Sequence, residues 1–337
     1  MKKLIAMLLS IVSVFTVFAF SACGSKGDVN IKYYKDGSEL IPALKTGAVS
    51  YGLLPEPAAT NLENMTKGEK TWYRIDIQEL YDKDAKNYPQ AVMLVKESLL
   101  NTYPTLVTSI AEKFDESVAW VSGHKDETVE AIYGKDVSEE GLTPSFKAAT
   151  LTKSVVDNCN ISWQNAQDAK TAVGDYLKEI IAIESKSANA ATDELFYDGT
   201  AAGEFTADTV SVYAPDGAPA LAIAKFVYDG ENFGTGKTFK YHVVKAENIG
   251  GKVQQGAGDI VILPVNLASK LYKAHTADPY KLVSVVTHGN LYLMCSEEIT
   301  VNDLENKTVG VFGMGAVPDL TFKAVLNKIG YKVAVAD

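Results

Sequence analysis

The fold class is decided by one stretch in the second half of the chain, Thr209-Val210-Ser211-Val212-Tyr213-Ala214-Pro215-Asp216-Gly217-Ala218-Pro219-Ala220. Its first five residues alternate in polarity and include β-branched side chains, which predicts a strand over 209–213. The prolines and the glycine that follow predict a turn, and a helical pattern continues over 218–228. A strand that leads through a short turn into a helix is the repeating unit of α/β folds.

The same alternation recurs on both sides of this stretch. Further strands are predicted at 29–34, 49–54, 239–244, 259–263 and 281–286, and further helices at 38–45, 56–65 and 267–274. Between residues 105 and 183 the pattern changes to long helices, with an apolar stripe at spacings of three and four formed by Leu106, Val107, Ile110, Phe114, Val118 and Val121. We therefore expect α/β lobes with covered sheets.

The first residues predict a lipoprotein signal peptide. Lys2 and Lys3 form a short basic region, residues 4–20 are apolar apart from serine and threonine, and small residues precede Cys23. This block resembles a bacterial signal in which cleavage occurs before the cysteine and the thiol then carries diacylglycerol. An uncleaved membrane anchor is the alternative, since the apolar run is near the lower length limit for a span. The expected location is the cell membrane, lipid-anchored at its extracytoplasmic face.

Without residues 1–22, about 315 residues remain, enough for two lobes of ordinary domain size. The formal charge of -10 becomes -12 once Lys2 and Lys3 leave, which argues against a nucleic-acid partner. We expect a monomer without cofactor. The four histidines are isolated from one another and from Cys159 and Cys295, so no metal site is predicted. The two cysteines are either buried thiols or a disulfide.

A short motif is repeated near the two ends of the chain. Leu-Pro at 54–55 and at 263–264 each follow a β-rich run, and apolar residues recur at matching positions after them, Ala59 and Leu62 in one copy and Ala268 and Leu271 in the other. Each copy predicts a strand that ends at a proline opening a helix. One copy per lobe would place two helix starts around a shared crevice. Leu-Pro before a helix is also common by itself.

Four blocks together resemble one family of proteins. They are GAGDIVILPVNLASKL at 256–271, THGNLYL at 287–293, VGVFGMGAVPDL at 309–320 and YGLLPEPAAT at 51–60. These blocks are similar to those of the substrate-binding proteins of ABC transporters that take nitrate, sulfonates, taurine or thiamine pyrimidines. The resemblance covers residues 28–337. It implies a two-lobed, periplasmic-binding-protein-like fold of type II, with the ligand cleft between the lobes.

The blocks occur in a different order from that of the family. In the family the block at 256–271 comes first, then 309–320, then 51–60, and last the long helices. The resemblance therefore implies a circular permutant with the signal peptide kept at the front. Residues 23–27 would be a tether, 28–87 and 302–337 the second lobe, and 88–301 the first lobe, with a linker at 199–208 where the family's termini are joined. Such joints are tolerated where termini lie close together at the surface.

The resemblance and the helix starts predict the ligand-binding residues. Free backbone N–H groups at the start of a helix suit an anion or another hydrogen-bond acceptor. The predicted binding residues are Asp216, Gly217, Ala218, Asn266, Asn290, Gly313, Gly315, Ala316, Asp319, Glu56, Trp72 and Tyr88. A purely structural turn is the alternative for residues 313–319, and core packing is the alternative for the aromatic residues.

The ligand class is only partly determined. Arg74 is the single arginine, which disfavours amino acids whose carboxylate needs a guanidinium clamp. Aromatic residues near the crevice favour a heterocycle or a cation, whereas the family also takes sulfonates and other small anions.

Three functional classes remain. They are a lipoprotein that delivers a small molecule to an ABC permease, an enzyme like those of the same fold that make a thiamine pyrimidine, and a surface adhesin or sensor. The enzyme is disfavoured because the cysteine-rich motif of those enzymes is absent from the sequence, and no catalytic residue is assigned.

Overall fold

The structure, a computed structural model, describes residues 26–35, 37–84 and 87–336. The predicted signal peptide, Cys23 and most of the predicted tether lie outside the described residues. The protein is a two-lobed α/β fold, and each lobe is built on a six-stranded sheet. Within the described ranges, no helix is long and apolar enough to cross a membrane.

The chain begins in the lobe that we call lobe A. Its first part contains β1 (Asp28–Tyr34), α1 (Gly37–Thr46), β2 (Tyr51–Pro55), α2 (Ala58–Met65), β3 (Tyr73–Asp76) and α3 (Ile77–Tyr81). The strand β2 is nearly continuous in buried residues, as expected for a strand covered on both faces.

The chain then forms the whole of lobe B. Its elements are β4 (Pro89–Lys96), α4 (Glu97–Thr102), α5 (Leu106–Val121), α6 (Lys125–Tyr133), α7 (Lys153–Asn158), β5 (Ile161–Asn165), α8 (Ala166–Ile183), β6 (Thr209–Pro215), α9 (Ala218–Ala222), α10 (Ala224–Asp229), β7 (Thr238–Val244), α11 (Ile249–Gln254), β8 (Ile260–Pro264), α12 (Val265–Leu271) and β9 (Tyr280–His288). The strand order in the sheet is β5-β9-β4-β8-β6-β7.

The last part of the chain returns to lobe A. It forms β10 (Leu291–Cys295), β11 (Thr308–Phe312), α13 (Val317–Ile329) and β12 (Lys332–Val335). The sheet order is β12-β1-β11-β2-β10-β3. The strands β1 and β11 pair in parallel from Asn30 with Thr308 to Tyr34 with Phe312, so the first and last parts of the chain share one sheet.

The predicted boundary between the lobes at residues 301 and 302 was wrong by one strand. The strand β10 pairs antiparallel with β2 and β3 of lobe A, although the prediction placed it in the other lobe. A fully buried apolar run looks the same in either sheet, so only the pairing distinguishes them. The chain therefore crosses between the lobes just after β9, at Gly289 and Asn290.

Four further local predictions were incomplete. The long helical region contains a strand, β5, and the helix predicted at 218–228 is interrupted at Ile223 into α9 and α10. Pro55 and Pro264 end strands instead of opening helices, although Pro264 is also the N-cap residue of α12. The segment 199–208 contains the buried Phe205 and lies along lobe B.

The hydrophobic core is continuous between the two lobes. In one buried cluster, Tyr176 of α8 and Leu263 of lobe B pack with Val317, Leu320 and Val309 of lobe A. The hydroxyl groups of Tyr176 and Thr321 are 2.7 Å apart, and Lys328 of α13 forms an ion pair with Glu179 of α8 at 2.9 Å. The helix α8 thus contacts both lobes.

Candidate functional site

The four segments predicted to line a crevice all follow parallel strands. Asp216 follows β6 and Asn266 lies just after β8 in lobe B, whereas Glu56 follows β2 and Gly313 follows β11 in lobe A. Parallel pairing of β6 with β8 and of β11 with β2 puts each pair of strand ends at one edge of its sheet. Ligands of open α/β sheets bind outside these carboxyl ends. We call the space between the two edges the interlobe crevice.

One end of the crevice is bridged by two polar contacts between the lobes. Asn158 of lobe B donates from Nδ2 to Oε1 of Glu56 at 3.3 Å. Asn61 of α2 donates from Nδ2 to the carbonyl oxygen of Ser145 at 3.3 Å. Ser145 in turn donates from its backbone N and its hydroxyl to Asp216, at 3.0 and 2.7 Å. The predicted residues Glu56 and Asp216 therefore lie on facing walls of the crevice.

The other end of the crevice brings Asn266 towards the Gly313–Asp319 loop. Asn266 donates from Nδ2 to the carbonyl oxygen of Ser187 at 3.2 Å. Glu184 lies three residues before Ser187, and its Oε2 atom would be 3.6 Å from a Cβ atom placed on Gly315. Loop residues of lobe B thus connect Asn266 to the glycine loop of lobe A.

Glu56 is buried and already has several partners in its own lobe. Its carboxylate accepts from Arg74 at 2.5 Å, and from the hydroxyl and the backbone N of Thr60 at 2.9 and 3.2 Å. Arg74 also binds Glu63 through Nε and Nη2, at 2.6 and 2.8 Å. Burial disfavours the charge of Arg74, but the hydrogen bonds that it donates to Glu63 and Glu56 outweigh this effect and raise the pKa of the guanidinium. The single arginine is therefore not free to clamp a ligand.

Asp216 accepts enough hydrogen bonds to satisfy its carboxylate. In addition to Ser145, the hydroxyl of Tyr133 donates to it at 2.6 Å and the backbone N of Gly217 at 2.9 Å. Gly217 has φ 106°, a conformation that suits glycine, and Ala218 is buried in α9. The Asp-Gly-Ala sequence thus shapes one wall of the crevice and anchors the loop that carries Ser145.

Asp319 is likewise engaged within lobe A. It is fully buried and accepts from Tyr33 at 2.9 Å, from Lys323 at 2.9 Å and from the backbone N of Gly315 at 2.8 Å. Burial lowers the pKa of Lys323, but hydrogen bonds to Tyr33 and Asp319 more than compensate, so the pKa is raised overall. Gly313 and Gly315 both have positive φ, and Ala316 is the N-cap residue of α13. Asp319 therefore fixes the glycine loop.

Asn290 belongs to the hinge between the lobes, which we define as residues 87–88 and 289–290. It donates from Nδ2 to the carbonyl oxygen of Glu56 at 3.3 Å and accepts from Nε2 of Gln90 at 3.0 Å. The backbone N of Gly289 donates to the carbonyl oxygen of Tyr88 at 3.0 Å. The two chain crossings are thus hydrogen-bonded to each other and to the wall of lobe A.

The two predicted aromatic residues occupy different positions. Trp72 lies in the core of lobe A with Leu40 and Leu62, and donates from Nε1 to the hydroxyl of Thr66 at 2.9 Å, so its predicted place in the crevice was wrong. Tyr88 is buried at the hinge, where its ring stacks on Tyr176 with 5.5 Å between the centroids. Core packing was the alternative for both residues.

Sequence reasoning missed Gln90, Asn158, Ser145 and Glu184. Gln90 is the one polar residue between Pro89 and Lys96 in an otherwise apolar strand, and such an interruption could have indicated it. Asn158, Ser145 and Glu184 lie in a helix end or loops of ordinary composition. No feature of the sequence distinguishes them, because their role depends on contacts with distant segments.

Both remaining cysteines are free and buried, so they do not form a disulfide. Burial, together with the nearby Glu56, raises the pKa of the Cys159 thiol. Burial also raises the pKa of Cys295, to about 12. In the described part of the chain, no three His, Cys, Asp or Glu side chains come together as metal ligands would.

Two surface cavities lie away from the crevice. One of about 390 Å³ is lined by Val49, Thr308 and Ala336 in lobe A, and one of about 160 Å³ is lined by Tyr272, Pro279 and Lys281 in lobe B. Both lysines that line the smaller cavity are paired with glutamates, Lys273 with Glu194 and Lys281 with Glu97. Neither cavity includes a predicted binding residue.

The chain is distantly similar to solved structures of other proteins. A crystal structure of NikA from Brucella suis in complex with Fe(III)-EDTA has a TM-score of 0.30 and 11% sequence identity to this chain, and the match covers 80% of this chain. The matched region spans 59% of the length of that protein. No protein-family model matches the sequence, and no curated protein matches it.

Proposed function

We propose that this protein is the solute-binding component of an ABC importer, which captures a small molecule between lobes A and B and delivers it to a membrane permease. The observation that supports this proposal best is that the carboxyl ends of parallel strands from both lobes face one crevice, across a hinge of two chain crossings. This is the arrangement in which open α/β sheets bind ligands and in which hinged lobes close. The sequence resemblance to substrate-binding proteins supports the same function.

The few polar contacts across the crevice fit a closure that can be reversed. Asn61 forms a neutral hydrogen bond with the carbonyl oxygen of Ser145, and Asn158 donates to the carboxylate of Glu56, both at 3.3 Å. A neutral hydrogen bond contributes about 0.5–1.5 kcal/mol net, and a hydrogen bond to a charged group about 1.5–3 kcal/mol. A pair of such bonds is easily broken, so a ligand that contacts both lobes could shift the equilibrium between open and closed forms.

The first step of the test identifies the small molecule that the protein binds. The purified protein is denatured, and the released small molecules are identified by mass spectrometry. The identified molecule is then added to protein with a fluorescent pair attached through Met65→Cys in lobe A and Tyr228→Cys in lobe B, both exposed positions. We expect a change in energy transfer on binding. A control pair within lobe B, Lys153→Cys with Tyr228→Cys, should show none. Equal responses of the two pairs would contradict closure of the lobes.

We also propose that Cys23 carries lipid and holds the protein at the extracytoplasmic face of the membrane. The small residues before this cysteine and the apolar run before them support the proposal. We expect Cys23→Ser to move the mature protein from the detergent phase to the aqueous phase in detergent partitioning. Cys159→Ser is the control, because a buried thiol is not a lipid acceptor. Unchanged partitioning of Cys23→Ser would refute lipidation.

A further inference from the structure

Two buried amide oxygens beside the crevice have no hydrogen-bond partner among the described residues. They are Oε1 of Gln90 and Oδ1 of Asn266. Asn266 itself is only 4% exposed. A buried polar atom without a partner is costly, and native proteins satisfy most of them. Each such atom therefore needs an explanation.

The orientation of the Gln90 amide is fixed by a chain of three groups. The carbonyl oxygen of Glu56 can only accept, so Asn290 must present Nδ2 to it. The Oδ1 atom of Asn290 then accepts, so Gln90 must donate to it from Nε2. Exchanging oxygen and nitrogen in either amide would break this chain. The free atom of Gln90 is therefore an oxygen.

The orientation of Asn266 is fixed in the same way. Its Nδ2 atom donates to the backbone carbonyl oxygen of Ser187, which leaves Oδ1 free. The two amides are close in the fold, because Ala91 of β4 pairs with Pro264 of β8. Gln90 precedes Ala91 by one residue and Asn266 follows Pro264 by two. Two fixed hydrogen-bond acceptors therefore lie at the carboxyl edge of lobe B.

Two cationic side chains near the crevice are already paired. Arg74 is held by Glu56 and Glu63, and Lys323 by Asp319. Glu184 adds a further carboxylate next to Gly315. An oxyanion in the crevice would thus meet two acceptor oxygens and carboxylates, while these two cations remain neutralised by their own partners.

The other buried atoms without a described partner lie elsewhere. Gln78 Nε2 and the Tyr88 hydroxyl belong to side chains that pack against Gly289 at the hinge, and Thr287 Oγ1 is in β9. Gln78 uses its Oε1 atom to accept from the backbone N of Leu291 at 2.7 Å. These groups support the hinge and do not alter the acceptor character of Gln90 and Asn266.

We propose that the crevice selects a small neutral or cationic molecule with N–H donors, such as an amine, an amide or an amino-substituted heterocycle, and rejects nitrate and sulfonates. Gln90 Oε1 and Asn266 Oδ1 accept hydrogen bonds from the N–H groups of the ligand. The inference rests on the proposed solute-binding function and specifies its ligand class. A site with fixed acceptors discriminates strongly, because a ligand without donors leaves the acceptors unsatisfied.

The experiment measures binding of four probes by isothermal titration calorimetry. Cytosine and 4-aminopyrimidine carry amino donors, and nitrate and methanesulfonate are oxyanions. Gln90→Met and Asn266→Leu each remove one acceptor with little change in volume. Gln167→Met and Asn101→Leu are matched controls on the surface, where the amides donate to the carbonyl oxygens of Tyr197 and Gly203. Urea unfolding of every variant verifies that it is folded.

We expect at least one amino probe to bind, and each acceptor variant to weaken that binding about tenfold, the effect of losing one good hydrogen bond. The control variants should bind as the wild type does. If one acceptor variant fails to fold, the other variant still tests whether an acceptor contributes to binding. Binding of the oxyanions alone, or amino-probe binding unchanged in both acceptor variants, would overturn the proposal and leave solute binding intact. Binding of no probe would also overturn it, whereas the solute-binding function is judged separately by the molecule released on denaturation.

Discussion

Arg74, the only arginine of the chain, neutralises two carboxylates in the wall of lobe A. It joins Glu56, whose side chain is fully buried, to the half-buried Glu63, and its guanidinium lies over the ring of Tyr292. Because Glu56 also accepts a hydrogen bond from Asn158 of lobe B, the arginine stabilises a residue that contacts both lobes. Its contribution is therefore structural, because it holds Glu56 in place at the wall of the crevice.

The first prediction concerns this ion pair. Arg74→Met leaves Glu56 buried without its cation, and breaking a buried pair in this way costs about 3–5 kcal/mol. The matched control, Lys153→Met, removes an exposed pair with Asp157, for which about 0.3–0.5 kcal/mol is expected. Urea unfolding measures both free energies. A cost below about 1 kcal/mol for Arg74→Met would show that water solvates Glu56 in the folded protein.

The second prediction concerns His288 at the end of β9. Burial lowers its pKa, and its Nδ1 atom lies 3.1 Å from the hydroxyl of Ser162. As the pH falls below about 6.5, the unfolded chain takes up a proton at this histidine before the folded protein does. Folding stability due to His288 is therefore complete above pH 6.5 and decreases below it, by at most about 1.4 kcal/mol per pH unit.

His288→Gln should flatten the dependence of unfolding free energy on pH between about 6.5 and 5. The pKa of His242 is also lowered, by burial and by the charges of Lys252 and Lys240. His242→Gln should therefore independently reduce the dependence of the unfolding free energy on pH. Chemical denaturation at several pH values measures both effects. An unchanged slope in His288→Gln would mean that this histidine titrates alike in the folded and unfolded states.

At the scale of elements, the hinge depends on close packing between its two chain crossings. A Cβ atom on Gly289 would lie 2.2 Å from Cε1 of Tyr88 and 2.7 Å from Cγ of Gln78. Both neighbours are buried, and Tyr88 is further held between Tyr81 and Tyr176. The absence of a side chain at Gly289 therefore allows the two crossings to approach each other closely.

The third prediction compares two glycines. Gly289→Ala should destabilise the protein by about 1–3 kcal/mol, the usual cost of overpacking a buried site. Gly174→Ala is the control, because Gly174 lies inside α8 with no atom within 4 Å of its added Cβ. That change should stabilise the helix by about 0.5–1 kcal/mol. Thermal and urea unfolding measure the two effects, and equal values would contradict tight packing at the hinge.

At the scale of the whole molecule, the order of the segments can be changed without changing the contacts. Lobe A is assembled from two separated parts of the chain, and lobe B is continuous. The parallel register of β12 and β1 pairs Lys332 with Asp28 and Val335 with Ile31. Three residues of β1 therefore separate Asp28 from the level of Val335, a distance of about 10 Å along the strand.

The fourth prediction follows from this register. Moving residues 28–198 behind Asp337 should give a protein with the same fold and ligand affinity within a few-fold. Two residues between Val335 and Asp28 reach about 11 Å when fully extended. The gap is also about 11 Å once the spacing of about 4.8 Å between the paired strands is included. Because the chain must also reverse direction between parallel strands, the direct joint unpairs the end of β12. A joint lengthened by four glycine and serine residues should be more stable than the direct one. Circular dichroism, urea unfolding and calorimetry measure the outcome, and loss of folding in both reordered chains would refute the permutation.

The sequence by itself determined the local elements of this protein and the edges at which they end. Alternation and apolar periodicity predicted most of the strands and helices, including β6 and the strands that end at Leu54-Pro55 and Leu263-Pro264. These patterns arise from residues that are neighbours in the chain, so a single sequence contains them. The positions of Asp216, Asn266, Glu56 and Gly315 at the carboxyl ends of strands followed from the same patterns.

Only the tertiary structure decided which sheet receives β10 and what each polar side chain does. β10 is an apolar run that either sheet could bury, and its pairing with β2 and β3 assigned it to lobe A. Asp216 and Asp319 were expected to bind a ligand, but their carboxylates are occupied by donors from other parts of the chain. Conversely, Gln90 was not among the binding residues predicted from the sequence. Hydrogen-bonding capacity depends on all neighbours in space, and distant segments of the chain supply most of those neighbours.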